Sequence, residues 1–380
     1  MDIEKNLNSV HTKKEIEGQP DLWVKTIQLL KENESIKSFL CPLLEKSHLN
    51  IILTGAGSSS FIGESVQHLF HMKTGINVNA ISTTTLVTHF KEFVDPEVPL
   101  LLISFARSGN SPESNAAVDI AENLCKEVHH IAITCNEDGE LAHRINDLHN
   151  GLTIVLPPES EDLGLAMTGS FTSMILTATY LTEYNKQNRQ AVLIDQIADS
   201  ARSVVSSCSA RLKEISFSYF DRIVFLGSGP LEGIAKESHL KVQELTDGKV
   251  VGKFDSFLGF RHGPKAVVNE NTVLVFLFST DESVFRYEKD LACQILDDGV
   301  AKHCIGVFCD EDQANGLDLD QKIIFKLDEE SQKSAYKTIL YVLPAQIMGY
   351  YKSLSLGLNP DSPSENNAIS RVVKGVTIYN

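Results

Sequence analysis

Three strand-like segments of this chain occur twice, in the same order and at nearly the same interval. Ile51–Gly57 (IILTGAG) pairs with Ile223–Gly229 (IVFLGSG), 172 positions later. Leu101–Phe105 (LLISF) pairs with Leu274–Phe278 (LVFLF) at 173, and Ile131–Asn136 (IAITCN) with Ile305–Asp310 (IGVFCD) at 174. A spacing that drifts by so little marks two copies of one fold. In the first copy each segment precedes a helical pattern: NIILTGAG before Phe61–Lys73, LLISFA before Pro112–Glu127, HHIAITC before DGELAHRIND. That alternation belongs to an α/β protein with a parallel sheet covered by helices. The 380 residues have room for two such domains. The expected divisions are an N-terminal helical arm (1–35), a first domain (36–200), a second domain (201–360) and a C-terminal tail (361–380), with the linker at about 185–215 in or beside a long helical stretch.

The net charge of -16 argues against a nucleic-acid partner, which needs a basic face. It does not exclude an anionic substrate, because the field in a site is local. No apolar run reaches the ~18 residues of a membrane span. The first residues, MDIEKNLNSVHTKKEIEGQ, are charged and lack a secretory apolar region. The cysteine number is odd, seven, and no C-x-x-C occurs, which fits free thiols in a reducing cytoplasm. His68 and His71 have a ligand-like spacing, but no third ligand accompanies them, so no metal is expected.

The turn after the first strand, GAGSSSFIG, departs from a dinucleotide fingerprint. Ser60 stands where the third glycine belongs, and the next strand-like run offers Asn79 instead of an acidic residue. NAD is not expected. A phosphomonoester fits better. Ser58, Ser59 and Ser60 stand where a strand turns into a helix, and Ser108 and Ser111 stand at a second such turn beside Arg107. Ser111 reads as an N-cap and Pro112 as the first helical residue. Free helix N–H groups and hydroxyls make an anion cradle there, to which Arg107 is expected to add positive charge. The matching turns of the second copy, GSGPLEG and FSTDES, lack this serine equipment, and the latter is acidic.

Glu237 and Glu244 are seven positions apart on a predicted helix, with Lys241 spaced to pair with Glu237. From spacing alone, such a face is expected to be solvated. His262 lies in a Gly-rich turn, GFRHGPK, free of helix packing, where an imidazole can serve as an acid–base group.

Taken together, the Gly-Ser loop, the E-x6-E helix and the HGP turn resemble the double sugar-isomerase (SIS) family. SFARSGNSPESN, ESHLKVQELTDGKV, DSFLGFRHGPK and HTKKEIEGQPDLW are most similar to its branch of galactosamine-6-phosphate deaminases and tagatose-6-phosphate ketose–aldose isomerases (AgaS). The resemblance implies two flavodoxin-like, three-layer αβα domains and a homodimer in which His262 reaches across from the neighbouring subunit. It implies that Ser59, Ser108 and Ser111 hold the sugar phosphate and that Glu244 moves a proton between C1 and C2. His262 would open the ring, Lys374 would sit over the open-chain sugar, and Glu237 matches an earlier carboxylate of the same helix. Ala106-Arg107-Ser108 replaces the Ser-Gln-Ser of glucosamine-6-phosphate synthase, which fits the galacto branch. Asp2 stands where that synthase has its glutaminase cysteine, so the deaminating direction is the expected one. No cofactor is implied. A plain phosphosugar isomerase, a deglycase and a non-catalytic phosphosugar sensor remain alternatives.

Overall fold

The computed structural model describes residues 10–379 apart from 47, 185–186, 367 and 372–375. Two helices, α1 (His11–Glu32) and α2 (Glu34–Leu44), lead into β1 (Asn50–Thr54), α3 (Ser58–Thr74), β2 (Asn77–Ala80), α4 (Thr83–Phe93), β3 (Leu100–Ala106), α5 (Pro112–Leu124), β4 (Val128–Thr134), α6 (Glu140–Asn146) and β5 (Gly151–Val155). Helices α7 (Gly169–Leu181) and α8 (Gln187–Phe217) follow, and α8 spans the stretch expected to hold the linker. Then come β6 (Arg222–Gly227), α9 (Pro230–Leu245), β7 (Val251–Asp255), α10 (Phe257–Phe260), β8 (Thr272–Leu277), α11 (Glu282–Asp298), β9 (His303–Phe308), β10 (Gln321–Ile324), α12 (Glu329–Lys333) and α13 (Leu343–Ser355).

The chain groups into two compact units. The N-terminal unit comprises Asp21–Glu161, Gly169–Val192 and Arg371–Asn380. The C-terminal unit comprises Met1–Pro20, Asp162–Thr168 and Leu193–Ser370. Each holds one five-stranded parallel sheet, in the orders β2-β1-β3-β4-β5 and β7-β6-β8-β9-β10. Renumbered within its own unit, each order is 2-1-3-4-5, the flavodoxin-like order. Ile51 lies opposite Leu101 in one sheet and Ile223 opposite Val273 in the other, so the structural counterpart of Leu101 is Val273, one residue before the start of LVFLF, at the same interval of 172 that separates Ile51 from Ile223. The two-copy α/β reading is therefore correct at the level of topology.

Helices on both faces explain the composition of the strands. Every residue of β3 and of β8 is buried, so these segments read as continuous apolar runs without alternation. In the N-terminal unit the single tryptophan, Trp23, is fully buried and donates from Nε1 to Thr172 Oγ1 (2.9 Å). The first strand of each unit ends in a glycine turn of the same shape. Gly57 has φ 58° and ψ -129°, and Gly229 has φ 56° and ψ -123°. A Cβ on Gly55 would meet the Ser59 backbone at 2.6 Å, so that turn excludes any larger residue.

The N-terminus of α1 is completed from the far end of the chain. Asp361 accepts from the N–H groups of Val10 (2.7 Å), His11 (3.0 Å) and Thr12 (2.8 Å), and from the Thr12 hydroxyl (2.7 Å). Burial alone would raise its pKa, but these donors outweigh burial and hold the carboxyl below the usual value of 3.8. A group depressed in the folded state contributes stability above its unfolded pKa and loses it as pH falls through the folded value. Asp361→Ala is expected to cost about 1–2 kcal/mol at neutral pH, the upper range for a lost helix cap. Urea denaturation of variant and parent at neutral pH and on the acid side of 3.8 checks this, since the difference between them should shrink in acid.

Candidate active site

The order 2-1-3-4-5 has a switch point between its first and third strands, and the crevice outside their carboxyl ends is the binding position of open α/β sheets. In the N-terminal unit that crevice is bounded by the turns after β1 and β3, the two loops singled out in the sequence. Ser58, Ser59 and Ser60 are the first residues of α3, whose N-cap, Gly57, supplies no side-chain acceptor. Ser58 and Ser59 are each 5% exposed. Ser111 is the N-cap of α5 and Pro112 its first residue, as expected. The Ser111 hydroxyl donates to Glu113 (2.7 Å) and makes no capping bond to its own helix.

Residues after β4 hold the β3 loop in shape. Asn136 Nδ2 donates to the Ser108 carbonyl (3.0 Å), Leu141 N–H to the Gly109 carbonyl (2.9 Å) and Glu140 N–H to Asn110 Oδ1 (3.0 Å). Gly109 takes φ 68°, which frees the loop to reverse. Arg107 is buried, and its Nη2 donates to the Arg371 carbonyl (2.8 Å), while Arg371 pairs with Glu161 (3.0 Å). Arg107 thus engages the backbone of the tail. Lys374 lies outside the described residues. The distinct cleft of about 500 Å³ in this unit contains none of these groups. It lies at the amino end of the strands, lined among others by Phe39, Glu122, His129 and Asn150. His71, considered with His68 as a ligand pair, instead bonds from Nδ1 to the Ile76 carbonyl (2.8 Å) at the end of α3.

In the C-terminal unit the E-x6-E helix is α9. Its face is not the solvated one that spacing suggested. Glu237 and Lys241 are fully buried. Lys241 Nζ lies 3.1 Å from Glu237 Oε1 and 2.7 Å from Glu244 Oε2. Desolvation works to lower the Lys241 pKa, but the charges of Glu237 and Glu244 prevail and the ammonium is held above its ordinary value. Burial follows from the neighbour: α13 runs close over α9 at Gly349, where a Cβ would lie 2.8 Å from Leu245 Cδ1 and 3.3 Å from the Lys241 carbonyl. Glu244, at the helix end, has its Oε2 buried against Lys241, and its side chain as a whole keeps 23% exposure. His262 is exposed in the turn after α10, where its N–H donates to the Gly259 carbonyl (2.9 Å).

The arrangement can be set beside known proteins. An SIS domain model matches residues 43–183. The chain is 37% identical over 371 residues to D-galactosamine-6-phosphate deaminase AgaS of Escherichia coli O157:H7, covering 97% of this chain and 95% of that protein. The chain belongs to the AgaS family of SIS-domain proteins. A relative of the same name from Shewanella sp. (strain ANA-3) is 37% identical over 372 residues, covering 97% and 91%. The crystal structure of tagatose-6-phosphate ketose/aldose isomerase from Escherichia coli is similar with a TM-score of 0.87 at 35% identity, covering 97% of this chain and 96% of that one.

In this AgaS-family chain the Lys241 ammonium is a fixed point for both carboxylates. Lys241→Met would leave Glu237 buried without its counter-charge. The expected cost is about 3–5 kcal/mol, the range for removing one partner of a buried ion pair. Urea denaturation measures it. The double variant with Glu237→Gln should recover part of the loss, because the orphaned charge is then gone.

Proposed function

We propose that the chain is an amino-hexose-6-phosphate deaminase working by aldose–ketose isomerisation, taking galactosamine 6-phosphate to tagatose 6-phosphate and ammonia. The observation that carries this reading is Glu244 on α9, one oxygen held by a buried ammonium, in a chain collinear with relatives of that name. Ser58, Ser59, Ser108 and Ser111 hold the phosphate, and Arg107 ties the tail that leads toward Lys374. With the phosphate anchored, the reacting carbons are positioned by remote binding.

The C2 hydrogen becomes acidic once the ring is open and C1 is an aldehyde. His262 moves the proton between the ring oxygen and O1. Glu244 then takes the C2 proton, giving an enolamine, and returns it to C1. Because Lys241 occupies Oε2, the carboxylate is presented in one orientation. The C2 imine that results adds water and loses ammonia to leave the 2-ketose. Lys374 is assigned to the charge that develops on the open-chain sugar. Glu237 acts at one remove, by holding Lys241. All seven cysteines are free thiols, which supports a cytoplasmic setting, and no described helix is long and apolar enough to cross a membrane.

Glu244→Gln is expected to lower kcat roughly 10²–10⁴-fold, the usual weight of general base catalysis, with KM little changed. Ammonium release from galactosamine 6-phosphate and glucosamine 6-phosphate measures it, and unaltered release would remove Glu244 from the mechanism. The likeness to the Escherichia coli isomerase favours a second reading, ketose–aldose isomerisation without loss of nitrogen. Tagatose 6-phosphate converted to an aldose, with no ammonium from either amino sugar, would decide for it.

His262 is exposed on its own chain, which supports its delivery to a second copy in a homodimer. Mixing and reassembling inactive Glu244→Gln and His262→Asn chains should then restore about a quarter of parental activity, since half the dimers are mixed and half their sites intact. No recovery would put His262 in the site of its own chain.

A further inference from the structure

The C-terminal unit has a switch point of its own, between β6 and β8. A side chain of the chain itself reaches into it. Glu288, the seventh residue of α11, is 1% exposed. Its Oε2 accepts from the Ser279 N–H (2.7 Å), just past the end of β8. The Ser228 hydroxyl, in the turn after β6, hydrogen-bonds to the same carboxylate. One acid thus joins the two loops that flank the crevice. Burial pushes its pKa up to about 7; the Ser279 N–H and Ser228 hydroxyl pull the other way, and the Asp281 charge adds to the rise.

The same position in the N-terminal unit is different. The seventh residue of α5 is Val118, fully buried and packed with Ala106 at the end of β3. Four residues, Arg107–Asn110, separate the end of β3 from the N-cap Ser111, and three, Phe278–Thr280, separate the end of β8 from the N-cap Asp281. Asp281 accepts from the N–H groups of Ser283 (2.8 Å) and Val284 (3.4 Å), so the end of α11 also carries an internal carboxylate. The N-termini of α3 and α5 have no side-chain cap bond, and neither has that of α9, so the difference between the units lies at α11.

We propose that the Glu288 carboxyl group is a built-in occupant: it fills the switch-point crevice of the C-terminal unit as the substrate phosphate fills that of the N-terminal unit, so that each chain takes one phosphomonoester. The proposal rests on the phosphate reading of Ser58, Ser59, Ser108 and Ser111. A buried carboxyl group bonded to both loops takes up the donors that a ligand in this crevice would need.

Equilibrium dialysis of the full chain against labelled inorganic phosphate and against galactosamine 6-phosphate counts bound phosphate per chain. One is expected. Two would overturn the proposal, and the count needs no variant. A second measurement follows the crevice directly. In protein carrying ¹³C at its glutamate carboxyls, the signal lost in Glu288→Gln identifies Glu288. That signal is expected to stay put at constant pH under saturating phosphate. A saturable shift, seen in the Ser59→Ala, Ser108→Ala protein, would mean that phosphate enters the second crevice, against the proposal. Phosphate binding that survives the serine substitutions while the Glu288 signal stays unmoved would remove the serine cradle and still support a closed second crevice.

Discussion

A lysine ammonium with no access to water fixes the packing of α9 in this molecule. Burying such a charge costs several kcal/mol unless opposite charges surround it. Lys241 meets that condition with Glu237 on one side and Glu244 on the other. The arrangement demands that α9 keep its register against α13, which Gly349 permits by bringing the two backbones close. A buried pair of this kind is a poor source of net stability. Its effect is on direction: one oxygen of Glu244 is committed, and the carboxyl group can turn only so far.

Duplication has given the two units one topology and different side chains at the turn after the third strand. Both sheets run 2-1-3-4-5, and both first turns rest on a glycine near φ 57°. The helices after β1 and β6 both start without a side-chain cap, but after the third strand the N-terminal unit presents Ser108 and Ser111 where the C-terminal unit presents Asp281 and Glu288. The fold supplies the crevice twice. Side chains of a few loop and helix positions decide what each crevice accepts.

Much of this was legible in the chain itself. Buried parallel strands must be apolar throughout, so the repeat of IILTGAG and IVFLGSG stood out. Ser111 before Pro112 marked a helix start because capping is a local rule. Burial on α9 was not legible: the i, i+4 spacing of Glu237 and Lys241 is the same on a wet helix as on a dry one, and the covering helix α13 lies about a hundred residues on. Glu288 left no local signal either, since its partner, Ser279, precedes its helix and a glutamate in a helix is ordinary. Arg107, expected to add charge for phosphate, donates to the tail carbonyl of Arg371, a partner 264 positions away that no pattern near Arg107 announces.

The carboxylate of Asp361 closes a turn that began 350 residues earlier. On a ribosome adding about 5–20 residues per second, the opening helix waits for tens of seconds before that acceptor emerges. The strands β1–β5 are finished long before then, whereas the C-terminal unit draws on Met1–Pro20 as well as Leu193–Ser370. Emergence of Asp361, and not the appearance of the first sheet, is therefore the step at which α1 gains the acceptor for its first turn.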